Sequence, residues 1–244
     1  TLPELPAGCT YLNFTASPDG IGVRPAEGLS PDDELTRLFE TMSSFGGLLT
    51  YRTHSDGTKS PYEVNISLYD ALKGTVEGED NYQQARFVCS QAIMMALAGV
   101  PAIYYNSLLA TPNHNEGVAE TNHNRTINRR KWQLSEVNER LDTLDHSAHQ
   151  VFEKLKTLIS IRRSFHAFDP GAQQEALSID PGIFALKRTN LTASSEMLCL
   201  FNLSGETIHL THEQLGLGNH QQWTDVVSDS TLEFGAIGLT LTPY

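Results

Sequence analysis

No run of about 18 apolar residues occurs in this 244-residue chain, and a helix needs that length to cross a bilayer. The most apolar segment, Val88 to Tyr105, is broken by Gly99 and Pro101. Cysteine is scarce and odd in number. Cys9, Cys89 and Cys199 are scattered, which gives neither a disulfide framework nor zinc-ligand spacing. Cys89 lies in an apolar helical pattern and reads as a buried small hydrophobe. Positive charge is also short, with 17 Lys and Arg against 29 Asp and Glu for a net charge of -12. Nucleic-acid binders show the opposite balance, so any anionic ligand must be held by a local group of cations. No signal peptide is visible, and the triplets Asn13-Phe14-Thr15 and Asn202-Leu203-Ser204 lie in strand-like runs where a glycan would disrupt pairing. A reducing cytoplasm is therefore the expected location. The first residue is Thr1 rather than methionine, and a leader or a larger N-terminal portion is expected to precede it.

With 39% hydrophobic and 19% charged residues, the composition is that of a globular protein with a sizeable core. "CTYLNFT" reads as a strand. "LSPDDELTRLFETMSSFGG" reads as a helix, with Ser30 as N-cap, Pro31 at the first helical position and Asp32, Asp33 and Glu34 against the positive end of the dipole. Its apolar stripe is Leu35, Leu38, Phe39 and Met42, and Gly46-Gly47 ends it. "GLLTYRT" and "YEVNISLYD" flank the turn-rich "HSDGTKSP" as a hairpin insertion. A buried helix is expected over 81–97, then the apolar strand "VPAIYYN", a polar loop from Ser107 to Asn128 and a helix over 136–165. This alternation is βα grammar and predicts a parallel sheet. Beyond Ala167, "GIFALKR", "EMLCLFNLS", "ETIHLT", "WTDVV" and "GLTLTPY" predict a small antiparallel β domain.

In a sheet built from βα units, binding groups collect where strands end. Asp19 follows the first strand on the glycine-rich turn "SPDGIG", and Asn106 and the long loop follow the second. Both ends face one side of the sheet, which draws Asp19, Arg24, His114, His123, Arg125, Arg129 and Arg130 together. Asp19 on its own is equally readable as a turn residue. Gly20-Ile21-Gly22 is no phosphate loop, because the Walker pattern is absent. His114 and His123 lack carboxylate or cysteine partners at ligand spacing, so no metal is expected. "NRTINRRKW" is equally readable as a solvated basic loop.

"TASPDGIGVRPAEGL", "GVPAIYYNSLLATPNHNEGVAETNHNRTINRRKW" and the closing β pattern together resemble the sucrose phosphorylase group of the α-amylase clan, glycoside hydrolase family 13. The resemblance implies an α/β fold: the last part of a (β/α)8 TIM barrel with a small inserted subdomain, followed by an antiparallel all-β C-terminal domain. The implied division is 1–46 and 81–166 for the end of the barrel, 47–80 for the inserted hairpin and 167–244 for the β domain. Such enzymes retain anomeric configuration by double displacement, with one carboxylate as nucleophile and one carboxylic acid as acid/base. Asp19 matches the family's third carboxylate, which steadies the cation-like transition state. Arg129, in "INR" with Asn128, matches the arginine that closes the glucosyl pocket. His114 and Arg24 are the further substrate-binding candidates, and His123, Arg125 and Arg130 the phosphate or acceptor candidates. No cofactor is implied. The implied partners are a small-molecule glucoside and inorganic phosphate, with neither nucleic acid nor membrane.

Three departures shape the expectation. The family places histidine before the stabilising aspartate, and Pro18 stands there instead. Losing one buried donor to the sugar is worth about 1–3 kcal/mol. His114 stands where sucrose phosphorylases carry aspartate, which favours an anionic or otherwise altered acceptor. A full barrel takes about 250 residues, so the strands bearing the nucleophile and acid/base are expected upstream of Thr1, and the piece is expected to dimerise or to retain that partner segment. The expected function is that of a sucrose phosphorylase-like parent acting on a sucrose-like or glucosyl-acid donor. The alternatives are an α-glucoside hydrolase of the same clan, or a sugar-binding module made degenerate by Pro18.

Overall fold

Tyr11 and Asn13 fix the first strand: their main-chain carbonyls accept hydrogen bonds from the amides of Val100 (2.8 Å) and Ala102 (2.7 Å). β1 (Leu12–Asn13) thereby runs parallel to Val100–Pro101, as the βα order predicts. The structure is a computed structural model that describes residues 5–6, 8–216, 223–232 and 238–244. It divides into two compact units. One comprises Thr1–Asn13, Cys89–Ala102 and Leu155–Tyr244, and the other Phe14–Val88 and Ile103–Lys154.

After β1 come β2 (Ile21–Gly22) and α1 (Asp32–Ser44). Ser30 is not the cap of α1. Pro31 takes that position with φ -57° and ψ 146°, and no side chain caps the helix. Proline's fixed φ suits this extended entry, its carbonyl accepts from the Leu35 amide (3.1 Å), and the three acidic residues of the first turn answer the dipole. Phe39 and Met42 join Val23, Phe45, Val64, Ile66 and Ala71 in a core cluster, whereas Leu38 is 42% exposed at the edge of its stripe. β3 (Leu48–Thr53) and β4 (Lys59–Asn65) form the expected hairpin. β2 pairs with the other edge of β4, Ile21 opposite Val64, for the order β2-β4-β3. A two-residue strand carries no period, so sequence pattern alone is blind to it.

α2 (Leu68–Ala71) and the ribbon of β5 (Gly74–Thr75) and β6 (Gly78–Glu79) precede α3 (Gln83–Ala96), which buries Phe87, Met94 and Met95. β7 (Val100–Pro101) is much shorter than "VPAIYYN" predicts. Its partner β1 offers two residues, and a helical turn, α4 (Tyr105–Leu108), takes over. The expected polar loop holds α5 (Asn115–Thr121) and a 3-10 turn, Asn124–Asn128. α5 is too short and too polar to carry an apolar stripe. The single helix expected over 136–165 is two, α6 (Leu134–Asp142) and α7 (Ser147–Ser164). A capping box of Gln133 and Glu136 starts α6 early, and His146 Nδ1 accepts from the Ala148 amide (3.0 Å) where α7 begins.

β8 (Gln173–Leu177), β9 (Ile183–Thr189) and β10 (Glu196–Asn202) form an antiparallel sheet in the order β10-β9-β8. "QQEAL" in β8 has helix-favouring composition, and pairing of the whole strand with Ala185–Thr189 of β9 overrides it. β11 (Ile208–Leu210), α8 (His212–Leu215), β12 (Trp223–Asp225), β13 (Ser230–Leu232) and β14 (Leu239–Leu241) follow. β11 pairs antiparallel with β14, and β12 with β13. Each of the five sequence runs expected there holds a strand, while the parts of that expected domain at 217–222 and 233–237 lie outside the described residues. Arg188 of β9 is fully buried. Its guanidinium donates to the carbonyls of Ala96 (2.7 Å), Gln173 (3.2 Å), Asp169 (3.2 Å) and Ala172 (3.4 Å), tying the end of α3 to this sheet.

Candidate active site

The Asp19 turn is docked on β4. Gly20 has φ +125°, a region that L side chains rarely adopt, and a Cβ there would lie 2.6 Å from the Val64 carbonyl oxygen. The next residue on β4, Asn65, donates from Nδ2 to the main-chain carbonyl of Asp19 (2.9 Å). Thr50 on β3 donates to Asn65 Oδ1 (2.6 Å), which fixes the orientation of that amide. The 3-10 turn holds the residues just before Asp19 from another side. Asn128 Nδ2 donates to the Ser17 carbonyl (2.5 Å), and Arg129 Nε donates to the Pro18 carbonyl (3.0 Å).

The side chain of Asp19 meets two guanidinium groups. Arg129 reaches Oδ1 at 2.8 Å and Arg125 reaches the same oxygen at 3.3 Å. Oδ2 has no hydrogen-bond partner among the described residues. The Asp19 and Arg129 side chains are 53% and 41% exposed, so their ion pair adds little stability. What it supplies is orientation, because a planar fork holds a carboxylate in one pose.

Behind this pair lies Glu63 of β4, 3% exposed. Its Oε2 accepts from Arg125 Nη2 (2.8 Å) and Nε (3.2 Å), and its Oε1 accepts from Asn65 Nδ2 (2.6 Å). A buried carboxylate is tolerated when paired and hydrogen-bonded in this way. Glu63, and then the more distant Asp19 charge, hold the Arg125 guanidinium above the usual arginine range. Two carboxylates and two guanidinium groups thus form one charge-balanced cluster.

Asp19, Arg125, Asn128 and Arg129 are therefore brought together. The other candidates are engaged elsewhere. His123 caps the 3-10 turn, its Nδ1 accepting from the Arg125 amide (3.2 Å). Arg130 lies over the Trp132 ring at 4.0 Å and faces Glu136 at 3.8 Å. Arg24 opens a short 3-10 turn and has no side-chain ion pair to the cluster among the described residues. His114 stands at the N-cap of α5, with its amide donating to the Ile127 carbonyl (2.8 Å). Its ring lies against Gly117, and its buried Nδ1 has no hydrogen-bond partner among the described residues. Glu63, Asn65 and Thr50 are the residues that sequence reasoning missed. The one available signal was a charged and an amide residue inside a strand of the hairpin beside the turn. Among the described residues no group of three or more His, Cys, Asp or Glu is placed to hold a metal ion.

No protein-family model matches the chain. A glucosylglycerate phosphorylase from Spirochaeta thermophila is 41% identical over 196 residues, covering 80% of this chain and 33% of that protein. One from Escherichia coli is 36% identical over 210 residues, covering 86% of this chain and 37% of that protein. The chain thus spans roughly a third of the length of these curated relatives. A sucrose phosphorylase from Bifidobacterium adolescentis is 28% identical over 169 residues, 62% of this chain and 29% of that protein. Among solved structures, sucrose 6F-phosphate phosphorylase from Thermoanaerobacter thermosaccharolyticum superposes with a TM-score of 0.58 at 22% identity, covering 80% of this chain and 39% of that one, which shows a shared fold. Over the stretch it spans, this chain belongs to the sucrose phosphorylase group of the α-amylase clan.

Proposed function

We propose that the full-length protein carrying this chain is a retaining α-glucoside phosphorylase, with Asp19 as the carboxylate that stabilises the transition state. The observation that carries the reading is the pose of Asp19: two guanidinium groups engage Oδ1, and Oδ2 is left without a protein partner among the described residues. In the proposed cycle the donor's C1–O bond breaks as the acid/base protonates the leaving oxygen and a carboxylate nucleophile takes C1. A phosphate oxygen then displaces that carboxylate, passing its proton back to the acid/base. Positive character at C1 and O5 is greatest between these states, and a fixed negative oxygen counts most there. The nucleophile and acid/base belong to strands other than those seen here, and this piece contributes the end of the barrel, the hairpin insertion and the β domain. Pro18 fits an active site because its carbonyl, rather than a side chain, is used to orient Arg129.

The proposed donor is a glucosyl acid of the glucosylglycerate type. Three curated relatives carry that name, and His114, with its unpartnered Nδ1, stands in the loop that the resemblance assigns to the acceptor. Arg125 is the phosphate candidate that lies beside Asp19. The test is product analysis on the full-length protein with glucosylglycerate or sucrose, with and without inorganic phosphate. Phosphate-dependent formation of α-glucose 1-phosphate, faster from glucosylglycerate, is expected. Equal sugar release in both conditions would make the protein a hydrolase, and no release from either donor would leave only sugar binding.

A further inference from the structure

Resting on that reading of Asp19, we propose that Glu63 is a positioning residue for the reaction: through Arg125 it keeps Asp19 Oδ2 free for the sugar. Three observations lead to it. Glu63 is almost wholly buried, yet it points a carboxylate at Arg125 and binds it twice, at 2.8 and 3.2 Å. Arg125 in turn meets only one oxygen of Asp19, and from the longer distance of 3.3 Å. Asn65 bonds both Glu63 Oε1 and the Asp19 main-chain carbonyl, so one amide ties the Glu63 carboxylate to the backbone of the Asp19 turn.

The physical argument is competition for one guanidinium. Arginine offers five donors in a planar fork and binds a carboxylate best with two parallel bonds. With Glu63 ionised, the Nε/Nη2 side of Arg125 is taken and only Nη1 reaches Asp19. Without the Glu63 charge, the fork is released to close on the remaining carboxylate and take both of its oxygens. Asp19 would then be neutralised from the front, where the sugar must sit. The burial of the Glu63 charge is the sign of its task, since a buried carboxylate is costly to retain for stability alone.

The experiment uses the full-length protein and three forms: wild type, Glu63→Gln and Arg125→Lys. Glutamine keeps the volume and one acceptor but not the charge, and lysine keeps the charge but not the fork. Two quantities are read: kcat and KM for phosphorolysis, and dissociation constants for a cationic iminosugar and for neutral glucose. Glu63→Gln should lower kcat about 10- to 100-fold, the usual effect of misplacing a reacting group by a fraction of an ångström to one ångström, with KM changed less than threefold. It should weaken the iminosugar by a similar factor and leave glucose binding and Tm near wild type. Arg125→Lys should show the same selectivity for the charged ligand. Equal weakening of both sugars, or a fall in Tm with unchanged kcat, would make Glu63 purely structural and overturn the inference. If wild type binds the iminosugar selectively but performs no phosphorolysis, the reaction assigned above fails, and the role of Glu63 stands when Glu63→Gln loses the iminosugar selectively and falls when it does not. If wild type binds neither sugar, both fail.

Discussion

Asp19 and Arg129 were legible at the scale of single residues because each belongs to a compact motif, "SPDGIG" and "INR". The structure puts them 2.8 Å apart although 110 positions separate them. Glu63 was not legible. A carboxylate between Tyr62 and Val64 in a short alternating strand reads as the solvent-facing position. Instead Glu63, Val64 and Asn65 are all buried, because the strand is covered on both faces and its polar residues satisfy each other. Gly20 reads from sequence as a turn glycine, but the lack of room for a Cβ against the Val64 carbonyl follows only from the β2–β4 pairing. Gly20→Ala should cost about 1–3 kcal/mol, from a strained φ and the clash with backbone. Urea unfolding checks this. The same variant should lose turnover, because the carboxylate rides on the displaced turn. Wild-type stability and turnover in Gly20→Ala would show that the turn tolerates a side chain.

At the scale of elements, strong periodic segments were read well and short ones poorly. α1 and α3 carry apolar faces or runs long enough to declare a helix, and β9 and β10 are rich in apolar and aromatic residues bounded by turns. α5 and β8 failed for opposite reasons: one is a helix without a stripe, the other a strand without strand-favouring composition. Both are imposed by tertiary neighbours, the first by packing against the 3-10 turn, the second by pairing with β9. Arg188 shows how strongly such neighbours are tied. Burial, and then the nearby Arg162 charge, bring its pKa down to about 10, so it remains charged at neutral pH and donates to four carbonyls. Arg188→Met fills much of the same space but strands those acceptors. It should destabilise the unit containing β8, β9 and β10 by about 2–5 kcal/mol, read as a lower urea midpoint. A midpoint equal to wild type would show that the carbonyls find other donors.

At the scale of the whole molecule, the acidic balance directs attention to local cations rather than to a basic face. The candidate cations are largely spoken for, however. Arg125 and Arg129 answer two carboxylates, Arg130 lies over Trp132, and His123 caps a turn. Sequence could name the cations but not the hold on Arg125, because Glu63, which takes it, lies on the hairpin and not in the motif. The cluster thus leaves one carboxylate oxygen open, while both of its guanidinium groups are paired. This accords with a reaction in which the sugar, at its transition state, is the cationic species.

The most direct measurement is the rate of phosphate-dependent glucosyl transfer by the full-length protein with Asp19→Asn, compared with wild type at saturating glucosylglycerate. Asparagine keeps the shape and the contact with Arg129 but removes the charge. The account predicts a loss of roughly 10²–10³-fold in kcat, the scale of removing one electrostatic stabiliser of a transition state, with an unchanged Tm. A variant that turns over at the wild-type rate would contradict it.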